Sequence, residues 1–186
     1  MKILILGGYG TFGSRLAELL AGDEHLTLVI AGRSHARAET FCATLNSKGS
    51  MAPAVFDRDG NVKRQLAELA PDIVVDASGP FQAYGVEPYR VVKAALARGL
   101  HYLDLADGSD FVAGIAQFDA DARSRGVFVL SGVSSFPLLT AAVVRRLAAG
   151  MTRLNTVSAG IAPSPHANVG LNVVRANAAI PGSQCQ

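Results

Sequence analysis

Gly8, Gly10 and Gly13 stand in the order G-x-G-x-x-G, and Gly7 extends the run. The chemistry that this spacing serves is the cradling of a pyrophosphate. One glycine allows a tight turn, a second lets the backbone approach the phosphates, and a third lets a helix pack closely on a strand. A helix that begins there offers free N–H groups and a positive dipole end to the anion. The motif needs a strand before it and a helix after it. Both are legible: Lys2 to Leu6 is a short apolar run, and Phe12, Leu16, Leu19 and Leu20 fall on one helical face, with Gly22 as a stop. The bland alternative is a glycine-rich turn that holds nothing.

A second group of residues bears on which dinucleotide such a loop would hold. A site for NAD usually ends its second strand with Asp or Glu, which binds the ribose hydroxyls. Here the second apolar run ends Ala31-Gly32-Arg33-Ser34, and Asp23 and Glu24 lie before it, at its wrong end. Arg33 could stack on adenine and pair with a 2′-phosphate. Ser34 could add a hydroxyl, and Arg37 lies one turn further on. One charge-assisted hydrogen bond contributes about 1.5–3 kcal/mol, roughly a ten- to hundredfold preference for NADP. Read blandly, Arg33 is a solvated loop residue.

The remaining candidates are weaker. Tyr89 and Lys93 fit Y-x-x-x-K, in which the tyrosine donates a proton and the lysine lowers its pKa. The pair follows the fourth apolar run, whereas that chemistry belongs after the fifth, so packing of Tyr89 in a first helical turn is the stronger reading. His25, His35, His101 and His166 lack metal-ligand spacing, and Cys42 and Cys185 lie far apart. Neither a zinc site nor a disulfide framework is expected. His101 reads as a structural histidine. Asp104 ends a strand, where open α/β sheets bind ligands, with capping of its own turn as the equal alternative. Asp76 can bond nearby backbone. Ser131, Ser134 and Ser135 have no His–Asp partner pattern, which argues against nucleophilic catalysis. No catalytic residue is assigned.

These residues need a scaffold, and the chain alternates in a way that provides one. Apolar, strand-like runs fall at Lys2–Leu6, Leu26–Ala31, Ala52–Asp57, Asp72–Ala77, Leu100–Leu105 and Val127–Leu130. Between them lie helical patterns. Ser34 caps the second, with Phe41 and Leu45 inward and Gly49 as its end. Asn61 opens the third, with Val62, Leu66 and Leu69 apolar and Pro71 as its end. A helix starts near Pro88 and stops at Gly99. Ser109 caps another, with Ile115, Phe118 and Ala122 inward, up to Gly126, and Pro137 begins one over Leu138–Ala149. Continuous apolar strands imply burial on both faces and a parallel sheet. Right-handed crossovers then give a doubly wound fold. Beyond Gly150 the pattern changes: Leu154–Ile161 reads as a strand, APSPH as a loop and Val169–Ile180 as a helix, before the featureless end PGSQCQ.

Composition agrees with this class. Hydrophobic residues make up 49% and charged residues 17% of 186, so the chain can bury a core and is not disordered. A net charge of +2 leaves no footprint for nucleic acid or an anionic membrane. No apolar run approaches a membrane span. A cytoplasmic location fits the cysteine usage.

Five stretches then line up together: GGYGTFG, AGRS, VVDASGPF (Val74–Phe81), GLHYLDLADG (Gly99–Gly108) and RGVFVLSGVSSFP (Arg125–Pro137). In this order and spacing they resemble the NADP-binding domain of the saccharopine dehydrogenase family over roughly residues 1–150. The resemblance implies a Rossmann-type α/β domain with a doubly wound parallel sheet of about six strands. It implies NADP as cofactor and hydride transfer to or from a C–N or carbonyl substrate. Gly8, Gly10, Thr11, Phe12 and Gly13 would surround the pyrophosphate. Arg33, Ser34 and Arg37 would hold the 2′-phosphate end. Asp57 and Arg58 would lie near adenine, and Ala77, Ser78, Gly79 and Pro80 would line the ribose and nicotinamide side. Tyr102 and Asp104 would approach the nicotinamide or substrate. Family members carry a second, substrate-binding domain. Residues 151–186 are therefore expected to be the truncated start of a second α+β domain, with homodimerisation through exposed edges as one way to complete the site. A non-catalytic NADP-binding or redox-sensing module and an atypical short-chain dehydrogenase are the alternatives.

Overall fold

The computed structural model describes residues 1–134 and 138–160. Six strands form one sheet: β1 (Lys2–Leu6), β2 (Thr27–Gly32), β3 (Ser50–Val55), β4 (Ile73–Asp76), β5 (His101–Asp104) and β6 (Val129–Leu130). Their order is β3-β2-β1-β4-β5-β6, and every neighbouring pair is parallel. The order reverses at β1 and β4, and the crevice beyond the carboxyl ends of such a switch point is where open α/β sheets bind ligands. The doubly wound six-stranded sheet expected from the sequence is the observed fold.

The helices are α1 (Thr11–Leu20), α2 (His35–Thr44), α3 (Val62–Leu69), α4 (Arg90–Ala97), α5 (Ser109–Gly114), α6 (Asp119–Ser124) and α7 (Thr140–Leu147). Strand side chains alternate between two apolar layers. Ile3, Ile5, Leu28, Ile30 and Val75 pack with Ala17 of α1 and Ala38 of α2. Leu4, Leu6, Val29, Ala31 and Val74 pack with Leu66 of α3, Val91 and Ala95 of α4 and Ala122 of α6. Register enforces the split, because Leu4 lies opposite both Val29 and Val74. Asn61 caps α3 by accepting the Arg64 N–H at 3.1 Å. Ser34 caps α2 by accepting the Arg37 N–H at 3.4 Å.

Several local expectations are corrected. α1 turns small residues inward: Gly13 and Ala17 are buried and Leu16 and Leu20 lean on the layer, while Phe12 is 52% and Leu19 68% exposed. Close seating of the helix on the sheet leaves no room for the bulky pair. α2 ends at Thr44, before Gly49. β3 stops at Val55, so Asp57 lies beyond its end. Ser109 is not a cap; Gly108 holds that position. The single helix expected up to Gly126 is broken into α5, a 3₁₀ turn over Ile115–Phe118, and α6. Gly114 sits at the break, where a side chain would collide with the Tyr89 hydroxyl, and glycine costs a helix about 1 kcal/mol. Residues 154–160, read as part of a strand, join no ladder of the sheet and are exposed. Ser135, Pro137, Ile161, the APSPH loop with His166, the helix expected over Val169–Ile180 and Cys185 lie outside the described residues.

Candidate functional site

The glycine loop joins β1 to α1. Gly7 adopts φ +71°, a left-handed turn that suits glycine. The Gly10 N–H donates to the Gly7 carbonyl at 2.8 Å, and the Gly8 N–H donates to the Ala31 carbonyl at 3.1 Å, which ties the loop to β2. Packing decides Gly13: a methyl there would strike the Gly7 carbonyl and come within 2.8 Å of the Gly8 Cα. Gly10 is the N-cap of α1 and has no side chain to satisfy the orphan N–H groups of the first turn. Thr11 and Phe12 are exposed in that turn. This end of α1 therefore turns the N–H groups of its first turn outward at the carboxyl edge of the sheet, a cradle that fits a pyrophosphate.

The turn between β2 and α2 lies alongside. Arg33 is exposed and Ser34 half-buried. The Ser34 N–H donates to the Tyr9 hydroxyl at 3.0 Å. The Arg37 guanidinium sits over the Tyr9 ring, 4.8 Å from its centroid. An open groove of about 410 Å³ runs from Tyr9 and Arg37 along α2 to Thr44. Tyr9 was not among the residues singled out from the sequence. Its signal is its place inside G-x-G, beside the positions that the motif fixes.

The loops after β3 and β4 meet around a buried acid. Asp76 is fully buried at the end of β4. Its carboxylate accepts from the Ser78 N–H at 3.0 Å, from the Ser78 hydroxyl and from the Tyr84 hydroxyl at 3.3 Å. Burial pushes the Asp76 carboxyl above the usual carboxylate range, and the Ser78 bonds and Arg58 charge oppose that shift. Burial, then the Asp76 charge, pushes the Tyr84 phenol up. The Arg58 guanidinium lies over the Tyr84 ring, and its Nε is buried without a hydrogen bond. Arg58 therefore turns toward this cluster. Asp57 is exposed and braces its own loop: its N–H donates to Gln65 Oε1 at 2.7 Å, and its carboxylate accepts the Asp59 N–H at 3.0 Å. Ala77, Ser78, Gly79 and Pro80 follow β4, all half-buried, beside the glycine loop; a methyl on Gly7 would lie 2.8 Å from the Ser78 Cα.

Asp104 ends β5 directly opposite Asp76 in register, and it too is fully buried. Its Oδ1 accepts from the Ala106 N–H at 3.0 Å, the Ser131 hydroxyl at 2.8 Å and the Gly132 N–H at 2.9 Å. Asp104 thus clasps the tips of β5 and β6. Its Oδ2 is buried without a hydrogen bond of normal geometry, although the Tyr102 phenol neighbours the same carboxyl. Burial pushes the Asp104 carboxyl up; hydrogen bonds from Gly132, Ala106 and Ser131 oppose this, and the Asp76 charge adds to it. Tyr102 is buried as well, and burial, then Asp76 and Asp104, pushes its phenol up.

Tyr89 is a packing residue. Its hydroxyl donates to the Phe111 carbonyl at 2.9 Å, and its ring packs on Phe111 and Phe118 at 4.8 and 5.3 Å. That removes the Tyr89–Lys93 proton-transfer reading, because the phenol is spent between α4 and α5. Among the described residues no group of three or more His, Cys, Asp or Glu is placed to hold a metal. No helix among them is long and apolar enough to cross a membrane.

The family described as saccharopine dehydrogenase NADP binding domain matches residues 3–130. No curated protein matches the sequence. Among solved structures, saccharopine dehydrogenase (L-Glu forming) from Saccharomyces cerevisiae is similar at TM-score 0.62 and 18% identity, over 78% of this chain and 30% of that one. The bulky-bulky ketone specific alcohol dehydrogenase from Comamonas testosteroni is similar at 0.53 and 18% identity, over 70% of each chain. A biliverdin reductase from Synechocystis, solved with biliverdin and NADP+, is similar at 0.50 and 21% identity, over 78% of this chain and 42% of that one. At these identities the likeness is one of fold. The chain spans 30% of the length of the yeast enzyme.

Proposed function

We propose that this chain, which belongs to the saccharopine dehydrogenase NADP-binding domain family, is the cofactor-binding part of an NADP-dependent oxidoreductase that acts on a C–N or carbonyl centre. The observation that carries the reading is the glycine cradle. Gly13 cannot bear a side chain, and the glycine-capped end of α1 turns its donors outward at the switch point between β1 and β4. When bound, the nicotinamide supplies or accepts the hydride. The protein supplies position and electrostatics.

In this reading Gly8, Gly10, Thr11, Phe12 and Gly13 hold the pyrophosphate. Arg33, Ser34 and Arg37 receive the 2′-phosphate. No acid stands at the end of β2 to hold a free ribose hydroxyl, which supports NADP over NAD. Ala77, Ser78, Gly79 and Pro80 would line the ribose and nicotinamide side, in a loop shaped by the bonds of Ser78 to Asp76. Asp57 and Arg58 would support the site indirectly: Asp57 braces its loop and Arg58 balances the buried acid. The substrate centre meets residues beyond β5 and β6, where the Asp104 clasp sets the loop that starts at Ser131.

Calorimetric titration with NADPH and NADH, on the chain and on Arg33→Ala, tests the proposal. NADPH should bind more tightly, and the substitution should bring its affinity about ten- to a hundredfold toward that of NADH. Failure of the chain to bind NADPH removes the cofactor assignment. Binding without turnover of any imine or carbonyl by the complete protein assigns a non-catalytic module instead.

A further inference from the structure

We infer that Tyr9 is a specificity-determining residue of the cofactor site: its hydroxyl donates to the 2′-phosphate, and its ring seats Arg37 for the same anion. The inference rests on the NADP reading above and names a residue that the motif leaves unspecified. Three observations carry it.

The first is the hydrogen-bond direction. The Tyr9 oxygen accepts the Ser34 N–H at 3.0 Å. Its own proton cannot point along that bond, so it points elsewhere from the β2–α2 turn and is available to an anionic acceptor. The second is the seat of Arg37. The guanidinium lies over the Tyr9 ring at 4.8 Å. A cation on a ring uses its face and leaves its in-plane N–H donors for a phosphate. Exposed Arg33 stands beside them on the same turn. The Tyr9 phenol and the Arg37 guanidinium thus meet beside the cradle, with Arg33 on the same turn and no carboxylate on the turn itself.

The third is exclusion. Gly32 is the last residue of β2, where a site for NAD can carry its acid. A methyl on Gly32 would come within 2.6 Å of the Tyr9 Cζ. The ring in this position and a side chain on the last residue of β2 therefore compete for the same space. Tyr9 favours a phosphate by contact, and its ring occupies the space into which a side chain at Gly32 would project.

The test is calorimetry of the chain and of Tyr9→Phe and Tyr9→Leu with NADPH, NADH and adenosine 2′,5′-bisphosphate, with thermal unfolding as the control for folding. Tyr9→Phe keeps the ring and the Arg37 seat. It should weaken NADPH and the bisphosphate about tenfold or more and leave NADH unchanged, the loss of one hydrogen bond to a charged group. Tyr9→Leu should lose more on the same two ligands. Equal weakening of NADPH and NADH by Tyr9→Phe, or no change in either, overturns the inference while the cofactor assignment stands. Absence of NADPH binding to the unaltered chain overturns both.

Discussion

Asp104 is the residue at which burial and chemistry conflict most openly. A carboxyl with no exposed surface normally needs every lone pair met. Three donors crowd Oδ1 while Oδ2 has none of normal geometry. Burial raises its pKa, as it does for Asp76 across the ladder. An acid whose pKa is raised by folding holds its proton more tightly in the folded chain. Its contribution to stability is complete below the ordinary carboxylate value and is lost as pH rises through the folded value. Asp104→Asn keeps an oxygen for the same three donors and cannot ionise. The variant should therefore lose less stability than the parent chain as pH rises from the carboxylate range to neutrality, read by urea unfolding at each pH. Asp104→Ala should cost about 2–4 kcal/mol, because buried donors lose their acceptor. An unchanged pH slope in the Asn variant would mean that folding leaves the Asp104 pKa where it stands in the unfolded chain. The sequence placed Asp104 at a strand end but could not choose between ligand contact and capping. The choice depended on Ser131 and Gly132, which only the pairing of β5 with β6 brings near.

Elements were legible where their residues are buried on both faces. β1, β2 and β4 are runs of Val, Ile and Leu because a parallel sheet covered by two helical layers admits little else. Elements whose shape depends on a distant partner were not. The break between α5 and α6 follows from Gly114, and Gly114 is needed because Tyr89, the N-cap of α4, occupies that space. Within residues 109–126 Gly114 is the signal, and the reason for it lies outside that stretch. Residues 154–160 carry strand-like side chains without a ladder, and β-propensity expresses the fit to a sheet rather than an intrinsic backbone choice. Tyr89 tests this view of coupled elements. Tyr89→Phe removes one hydrogen bond to the Phe111 carbonyl and keeps the ring contacts. Stability should fall by about 1 kcal/mol in chemical unfolding, and NADPH affinity should stay the same. A large loss of affinity would overturn this assignment of Tyr89 as a packing residue.

At the scale of the molecule, every candidate contact projects from the carboxyl ends of strands that share the same two apolar layers. The glycine loop follows β1, the Arg33 turn follows β2 and the Ser78 loop follows β4, and these strands are neighbours in the sheet. A ligand held by all three loops binds only when the sheet that carries them is folded, so binding should protect the whole domain and not one loop. A ligand specific for the folded chain stabilises it by about 2.7 kcal/mol at a hundred times its dissociation constant. For a domain of this size that raises the melting midpoint by roughly 5–10 °C. NADH at the same concentration, if bound tenfold more weakly, gives up about 1.4 kcal/mol of this and should yield about half the shift. The chain has no tryptophan, so far-UV circular dichroism or calorimetry is the suitable probe. A single cooperative transition that moves further with NADPH than with NADH would tie the 2′-phosphate turn to the stability of the sheet. Equal shifts would mean that only the pyrophosphate and adenine are read, and that Arg33, Arg37 and Tyr9 take no part in the choice of cofactor.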